Sequence, residues 1–206
     1  MKRALDNLDN LLTWIIRILF VLNAINNLII KDYYFFLMAM IGMALTFIPY
    51  MYNSIFKRNE SRALDFSIIF FIFLSIYLGT LNNFYKFTWW DTMLHLISGV
   101  ILGLLGIVVM NNLNNPTVVK SLNPKFIFIY IISFVLLCGV LWEIYEFAGD
   151  IVLGMDMQGS LLTGVGDTMI DLIADLVGGV ISALYGMLSF NRNNGIDEKH
   201  SSVDKP

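Results

Sequence analysis

Residues 166–179, GDTMIDLIADLVGG, begin the last of six long apolar segments in this chain. On a helix, Asp167, Asp171 and Asp175 recur every four residues and therefore lie on one face. The segment continues as VISALYGMLSF, which is apolar enough to lie in a bilayer. An acid near the centre of a membrane helix costs about 2.5–3.5 kcal/mol on insertion scales. Three acids on one face therefore need a compensating group, and we expect that group to be part of the function.

The composition of the whole chain is that of a membrane protein. Of its 206 residues, 57% are hydrophobic and 14% are charged, whereas soluble proteins are roughly 45–50% apolar and about 25% charged. The apolar residues form continuous runs rather than alternating ten-residue strands, which favours helices over a barrel. The sequence thus predicts an all-α polytopic membrane protein with six transmembrane helices at about 11–30, 33–52, 63–80, 91–110, 126–147 and 167–190.

The basic residues predict the orientation of these spans. With the N-terminus inside, ten of the thirteen Lys and Arg residues fall in cytoplasmic segments, and only Lys31 and Lys86 fall outside. Arg17 lies within the first span, where an ion pair with Asp65 at a similar depth is expected. We predict cytoplasmic termini, a multi-pass location in the bacterial cytoplasmic (inner) membrane, a single transmembrane domain over 1–190 and a disordered cytoplasmic tail over 191–206.

Acidic residues concentrate at the predicted outer ends of the last three spans. At ~1.5 Å per residue their depths match across the three helices, although Asp91 and Asp167 are also explained as helix caps and His95 as an interior histidine. No Lys or Arg lies between Phe126 and Asn191 to compensate them. Uncompensated carboxylates need a cation or shared protons. The predicted site comprises His95, Glu143, Glu146, Asp171 and Asp175 as candidate metal ligands, with Asp91, Asp150, Asp167 and Gln158 at its mouth.

Four motifs carry a family resemblance over about 91–186. These are DTMLHLISG at 91–99, WEIYE at 142–146, the pair Gln158–Gly159 and GDTMIDLIADLVGG at 166–179. They resemble the YjdF-like bacterial membrane-spanning proteins, a family of unknown function, and more loosely the VanZ-like proteins associated with glycopeptide resistance. The resemblance supplies no reaction, but it implies that the acidic cluster is a family feature.

Three classes of function stay open. In the first, an outward-facing acidic pocket binds a divalent metal ion or another cation and acts on a lipid-linked or envelope substrate. In the second, the acids relay protons or cations in a transporter or channel. The third is a non-enzymatic envelope scaffold. The residues leave open whether the chain is an enzyme and what its oligomeric state is, while membrane lipids are expected partners and nucleic acid is not.

Overall fold

The computed structural model describes residues 2–56, 62–159 and 163–203. Within these ranges the chain is helical and contains no strand, which confirms the predicted all-α class. The fold divides into two compact units, Met1–Leu94 and His95–Pro206.

The described residues of the first unit form four α-helices and the beginning of a fifth. Phe73–Leu81 continues the fourth helix in π-helical form, and a single 3₁₀ turn at Phe84–Lys86 precedes the fifth. The helices are α1 (Lys2–Ile29), α2 (Tyr33–Leu45), α3 (Ile48–Phe56), α4 (Arg62–Ile72) and α5 (Thr88–Leu113). The second unit holds the rest of α5 together with α6 (Pro116–Ser121), α7 (Pro124–Leu153) and α8 (Gly166–Val203).

Six helical stretches are long and apolar enough to cross a membrane, as predicted. Large apolar side chains on these stretches are exposed, for example Trp14, Ile18 and Leu22, and they form the surface that contacts lipid. The spans are Asn7–Ile29, Tyr33–Ser54, Arg62–Leu81, Thr88–Leu113, Pro124–Leu153 and Gly166–Phe190. The side of the membrane on which the termini lie stays a prediction.

The second span is interrupted in the middle of its sequence. Pro49 lacks an N–H and its ring clashes with the preceding turn, so α2 ends at Leu45 and α3 begins at Ile48. At the interruption, the Thr46 N–H is shared between the carbonyls of Gly42 and Met43.

The buried Arg17 takes its hydrogen bonds from this interruption. Its Nε donates to Thr46 Oγ1 and its Nη2 to the Thr46 carbonyl, both at 3.1 Å. The guanidinium also lies 4.0 Å from the centre of the Phe47 ring. Its remaining contacts among the described residues are with aromatic rings, so the ion pair expected with Asp65 is wrong. Asp65 accepts a hydrogen bond from Asn53 Nδ2 at 2.9 Å.

The second unit is built on α7 and α8, which pack along much of their length. Ile127, Ile131 and Val135 of α7 and Ala183 of α8 are fully buried. Helix α7 begins with an Asn-Pro signal, in which the Asn123 side chain accepts from the Lys125 N–H at 2.9 Å. It ends at Gly154, whose φ of 65° suits a residue without a side chain.

The last two long helices both extend beyond the predicted ends of their spans. Helix α7 continues to Leu153, and α8 continues past the predicted limit at Phe190 as far as Val203. Residues 160–162, which fall between the predicted fifth and sixth spans, lie outside the described residues. The division into a domain over 1–190 and a tail over 191–206 stays a prediction.

Candidate functional site

His95 lies at the centre of a buried polar group in the second unit. It is 5% exposed, although its helix α5 is apolar on both sides of it. Ser98 follows three residues later and therefore lies on the same face of α5. The polar group continues from this face onto α7 and α8.

Asp175 of α8 binds both residues of this α5 face. One carboxylate oxygen, Oδ2, lies 3.0 Å from His95 Nδ1. The other, Oδ1, accepts a hydrogen bond from Ser98 Oγ at 2.9 Å. Asp175 is 1% exposed, so both oxygens are satisfied by protein donors when the His95 proton is on Nδ1. The opposite ring nitrogen, Nε2, then carries no proton and can act as an acceptor or a metal ligand.

That second ring nitrogen faces the carboxylate of Glu143 on α7. His95 Nε2 lies 3.9 Å from Glu143 Oε1, and Glu143 is 5% exposed. The Oε1 atom is buried and has no hydrogen-bond partner within the described part of the chain. A buried carboxylate oxygen without a donor is unfavourable, so this atom marks the position where a cation or proton belongs.

Asp171 of α8 completes the group one turn before Asp175. It is 2% exposed, and one of its carboxylate oxygens lies within 4.8 Å of a ring nitrogen of His95. The mouth residue Asp91 lies one turn before His95 on the same helix, in the first turn of α5. Its placement there also fits the alternative role at a helix N-terminus.

Glycines allow the helices that carry these groups to approach closely. A Cβ at Gly139 of α7 would collide with the Asp175 carboxylate, and one at Gly99 of α5 would meet the Asp175 backbone. A Cβ at Gly178 would in turn meet the backbone of α5 at Leu96 and Val100. These glycines therefore let α5 and α8 pack with their backbones in close contact.

Gln158 connects the loop after α7 to the group. Its Nε2 donates to Thr168 Oγ1 at 3.1 Å and lies 3.4 Å from Glu143 Oε2. Asp150 holds this loop, because its two carboxylate oxygens accept from the backbone N–H groups of Met157 (2.6 Å) and Gln158 (3.1 Å). Asp150 therefore fixes the loop, although the sequence placed it only at the mouth.

The last two predicted residues lie at the edge of the group. Glu146 is buried one turn beyond Glu143 and accepts a hydrogen bond from Trp142 Nε1 at 2.8 Å. Asp167, in the first turn of α8, lies against Gly159, where a Cβ would collide with its carboxylate. The structure therefore brings His95, Glu143, Asp171 and Asp175 into one buried group and places the others around it.

Sequence reasoning missed three residues of this arrangement. Ser98 lies within the DTMLHLISG motif, and its position three residues after His95 is the signal that could have placed it in the site. Thr168 follows Asp167 directly and carries no such signal. The role of Gly139, which makes room for Asp175, depends on which residues of α7 and α8 lie opposite each other.

The donor set fits a divalent metal ion. One imidazole nitrogen and two carboxylates, buried in a region without Lys or Arg, are ligands that divalent cations accept. The carboxylate that binds the other imidazole nitrogen is a common feature of metal-binding histidines, because it fixes the tautomer and the ring orientation. Proton sharing is the other way to compensate the same charges.

Known proteins place the chain in a family but supply no activity. No solved structure matches it. An uncharacterized protein of Thermotoga maritima is 27% identical over 133 residues, which cover 64% of this chain; the chain spans 66% of that relative's length. The finer likenesses to YjdF-like and VanZ-like proteins stay predictions. A family model described as "Predicted membrane protein (DUF2238)" matches residues 10–192, so the chain belongs to this family of membrane proteins.

Proposed function

We propose that this membrane protein binds a divalent cation through His95, Glu143 and Asp171. The observation that carries the proposal is the buried Glu143 Oε1, which has no hydrogen-bond partner and lies 3.9 Å from His95 Nε2. A cation between these two atoms would satisfy the carboxylate oxygen and use the electron pair of the imidazole.

Asp175 has a different role in this proposal from the one its sequence position predicted. Both of its oxygens are already in contact with the protein, at His95 Nδ1 and Ser98 Oγ. It therefore orients the imidazole and fixes the tautomer that presents Nε2, without itself binding the ion. Gln158 similarly holds the second oxygen of Glu143 and leaves Oε1 for the cation.

Charge balance supports a cation over a neutral ligand. Three acids, Glu143, Asp171 and Asp175, are at most 5% exposed. The apolar segments of the second unit contain no Lys or Arg. A divalent ion would neutralise two of the three negative charges. Protonation of His95, the alternative, would neutralise only one. Carboxylates with one imidazole suit Mn²⁺, Mg²⁺ or Zn²⁺, depending on how many waters complete the ligand set.

The proposal extends to a substrate at the outer leaflet. The predicted topology places the site in the outer half of the membrane, where lipid-linked and envelope substrates are reached from the lipid. When bound, a divalent ion can polarise a phosphoryl oxygen or activate water. The contribution of the chain would be to exclude bulk water and to hold His95 through Asp175.

Metal content and thermal stability test the cation site. We expect the purified full-length protein to contain a stoichiometric divalent metal by elemental analysis, and to be stabilised when that metal is added after chelation. Glu143→Gln should remove most of both effects. Asp32→Asn is the matched control, because Asp32 caps α2 in the first unit, outside the acidic group, and Asn caps a helix almost as well. A metal-free protein with no stabilisation by Mn²⁺, Mg²⁺, Zn²⁺ or Ca²⁺ would contradict the proposal.

A proton or cation relay is the second candidate function. It is favoured by the position of His95 between two carboxylates, at 3.0 Å from Asp175 and 3.9 Å from Glu143, since an imidazole there can accept a proton on one side and release it on the other. Proteoliposomes with a pH-sensitive dye distinguish the two functions. Proton flux that is abolished by Glu143→Gln and unaffected by chelators would favour the relay.

A further inference from the structure

The first unit contains a polar cavity that the acidic group does not involve. Its volume is about 380 Å³, and it is lined by residues of α1, α3 and α4. Asp9 lies near the start of the first span, Asn53 near the end of the second, and Arg62 at the start of the third. The cavity therefore lies where three spans begin or end, on the predicted cytoplasmic side, which is where lipid head groups are expected.

The cavity contains several hydrogen-bond acceptors, of which one is the Asn53 side-chain amide oxygen. Asn53 Nδ2 donates to Asp65 Oδ2 at 2.9 Å, and because a carboxylate only accepts, this bond fixes the orientation of the amide. The amide oxygen, Asn53 Oδ1, is buried and accepts no hydrogen bond from the residues that the structure describes. Asp9 adds a second carboxylate to the lining. An ammonium group, with three donors, would satisfy this set.

The same cavity also presents donors for an anion. The guanidinium of Arg62 belongs to the lining and has the fork geometry that binds phosphate through two parallel hydrogen bonds. The hydroxyl of Thr13, a residue only 3% exposed, also lines the cavity. Arg62 and Asp65 have further interactions within the chain, so a ligand would share them with existing partners.

Opposite charges in one small cavity restrict the ligand. A purely anionic group would meet the carboxylates of Asp9 and Asp65, and a simple cation would meet Arg62. We propose that this cavity binds a zwitterion in which a primary ammonium lies a few atoms from a phosphate, with the ammonium at Asn53 and Asp65 and the phosphate at Arg62. The phosphatidylethanolamine head group and free phosphoethanolamine share this chemistry.

Titration of the full-length protein in detergent tests the proposal. The probes are short-chain phosphatidylethanolamine, free phosphoethanolamine, and the short-chain phosphatidylglycerol and phosphatidylcholine analogues. We expect the ethanolamine lipid to raise the Tm by about 2–4 °C near saturation. Phosphatidylglycerol lacks the ammonium and phosphatidylcholine lacks its N–H donors, so both should shift the Tm much less. A response to free phosphoethanolamine would identify a soluble ligand, and a response to the lipid alone would identify a lipid site.

Three variants separate binding from folding. Arg62→Gln should weaken the ethanolamine response at least tenfold, and Thr13→Val, which preserves shape, should weaken it by a smaller factor. Ser67→Ala is the matched control on α4, because its hydroxyl donates to the Ala63 carbonyl and does not line the cavity. The proposal fails if phosphatidylglycerol stabilises as well as the ethanolamine lipid, or if Arg62→Gln and Thr13→Val respond like the Ser67→Ala control.

Discussion

His95 and Asp175, eighty residues apart in the sequence, are joined by a 3.0 Å contact between His95 Nδ1 and Asp175 Oδ2. Both side chains are at most 5% exposed. The contact determines which imidazole nitrogen is available to a cation, and it makes Asp175 a positioning residue in our proposal. Removing Asp175 should therefore weaken metal binding, whereas removing a ligand should abolish most of it.

We expect Asp175→Asn to weaken divalent metal affinity about 10–100-fold, as loss of an orienting partner does elsewhere. Binding should persist, because His95, Glu143 and Asp171 are unchanged. Ser98→Ala should have a smaller effect, because it leaves the His95–Asp175 contact in place and removes a hydroxyl that is shared between Asp175 Oδ1 and the His95 carbonyl. Competition with a metallochromic indicator measures both affinities. Complete loss of binding in Asp175→Asn would instead make Asp175 a ligand.

Neutralising one acid of the group should have opposite effects with and without metal. We expect Glu143→Gln to stabilise the metal-free protein by about 1 kcal/mol, since it removes repulsion among buried carboxylates. The same variant should lose most of the stabilisation that metal gives, which is about 2.7 kcal/mol for a ligand at 100 times its Kd. Thermal unfolding with and without chelator measures both. If Glu143→Gln destabilises the chelated protein, the charges are already compensated by protons.

The sequence could predict much of this group because helical geometry is local. Spacings of four residues place Asp171 and Asp175 on one face of α8, and matched depths place His95 beside them. The sequence could not predict which acid contacts which imidazole nitrogen. That choice depends on the rotation of α8 about its axis and on the close approach at Gly139, both of which result from packing between distant segments.

Arg17 shows where charge reasoning alone gave the wrong partner. Similar depth and the need for a counter-charge favoured Asp65, whereas the guanidinium bonds to Thr46. The interruption before Pro49 lets the Thr46 carbonyl accept a hydrogen bond from outside its own helix. Aromatic rings, with Phe47 at 4.0 Å, further accommodate the charge. Matching the depths of charged residues identifies only carboxylates as partners, whereas a helix break also leaves a backbone carbonyl available as an acceptor.

The Arg17–Thr46 contact gives a stability prediction. We expect Thr46→Val to lower the free energy of unfolding by about 1–3 kcal/mol, because it leaves the charged Nε of a buried Arg17 without its acceptor. Ser121→Ala removes an exposed hydroxyl that donates to the Val118 carbonyl, and it should change stability by less than about 0.5 kcal/mol. Chemical or thermal unfolding of the purified protein measures both. Equal effects in the two variants would contradict the proposed weight of the contact.

Close helix approach predicts that Gly139 is required for the site. In Gly139→Ala the added Cβ would collide with the Asp175 carboxylate, so we expect a loss of about 1–3 kcal/mol of stability and weaker metal binding. Gly166→Ala is the control, because a Cβ there meets only the Thr163 side chain at 3.8 Å. Unfolding and metal titration of both variants measure the difference. Normal metal affinity in Gly139→Ala would show that Asp175 does not need its position.

The orientation of the chain is the last prediction, and both proposed sites depend on it for their side of the membrane. Cys138 is the single cysteine, so a Cys138→Ser background accepts one new thiol at a time. Lys86 and Lys125 are both exposed, yet the distribution of basic residues places Lys86 outside and Lys125 in the cytoplasm. A membrane-impermeant maleimide should therefore label Lys86→Cys in intact cells and Lys125→Cys only after lysis. Each substitution removes one basic residue and leaves a large cytoplasmic excess, so neither should invert the chain. The reverse labelling pattern would move the acidic group to the inner half of the membrane and exclude a substrate from the outer leaflet.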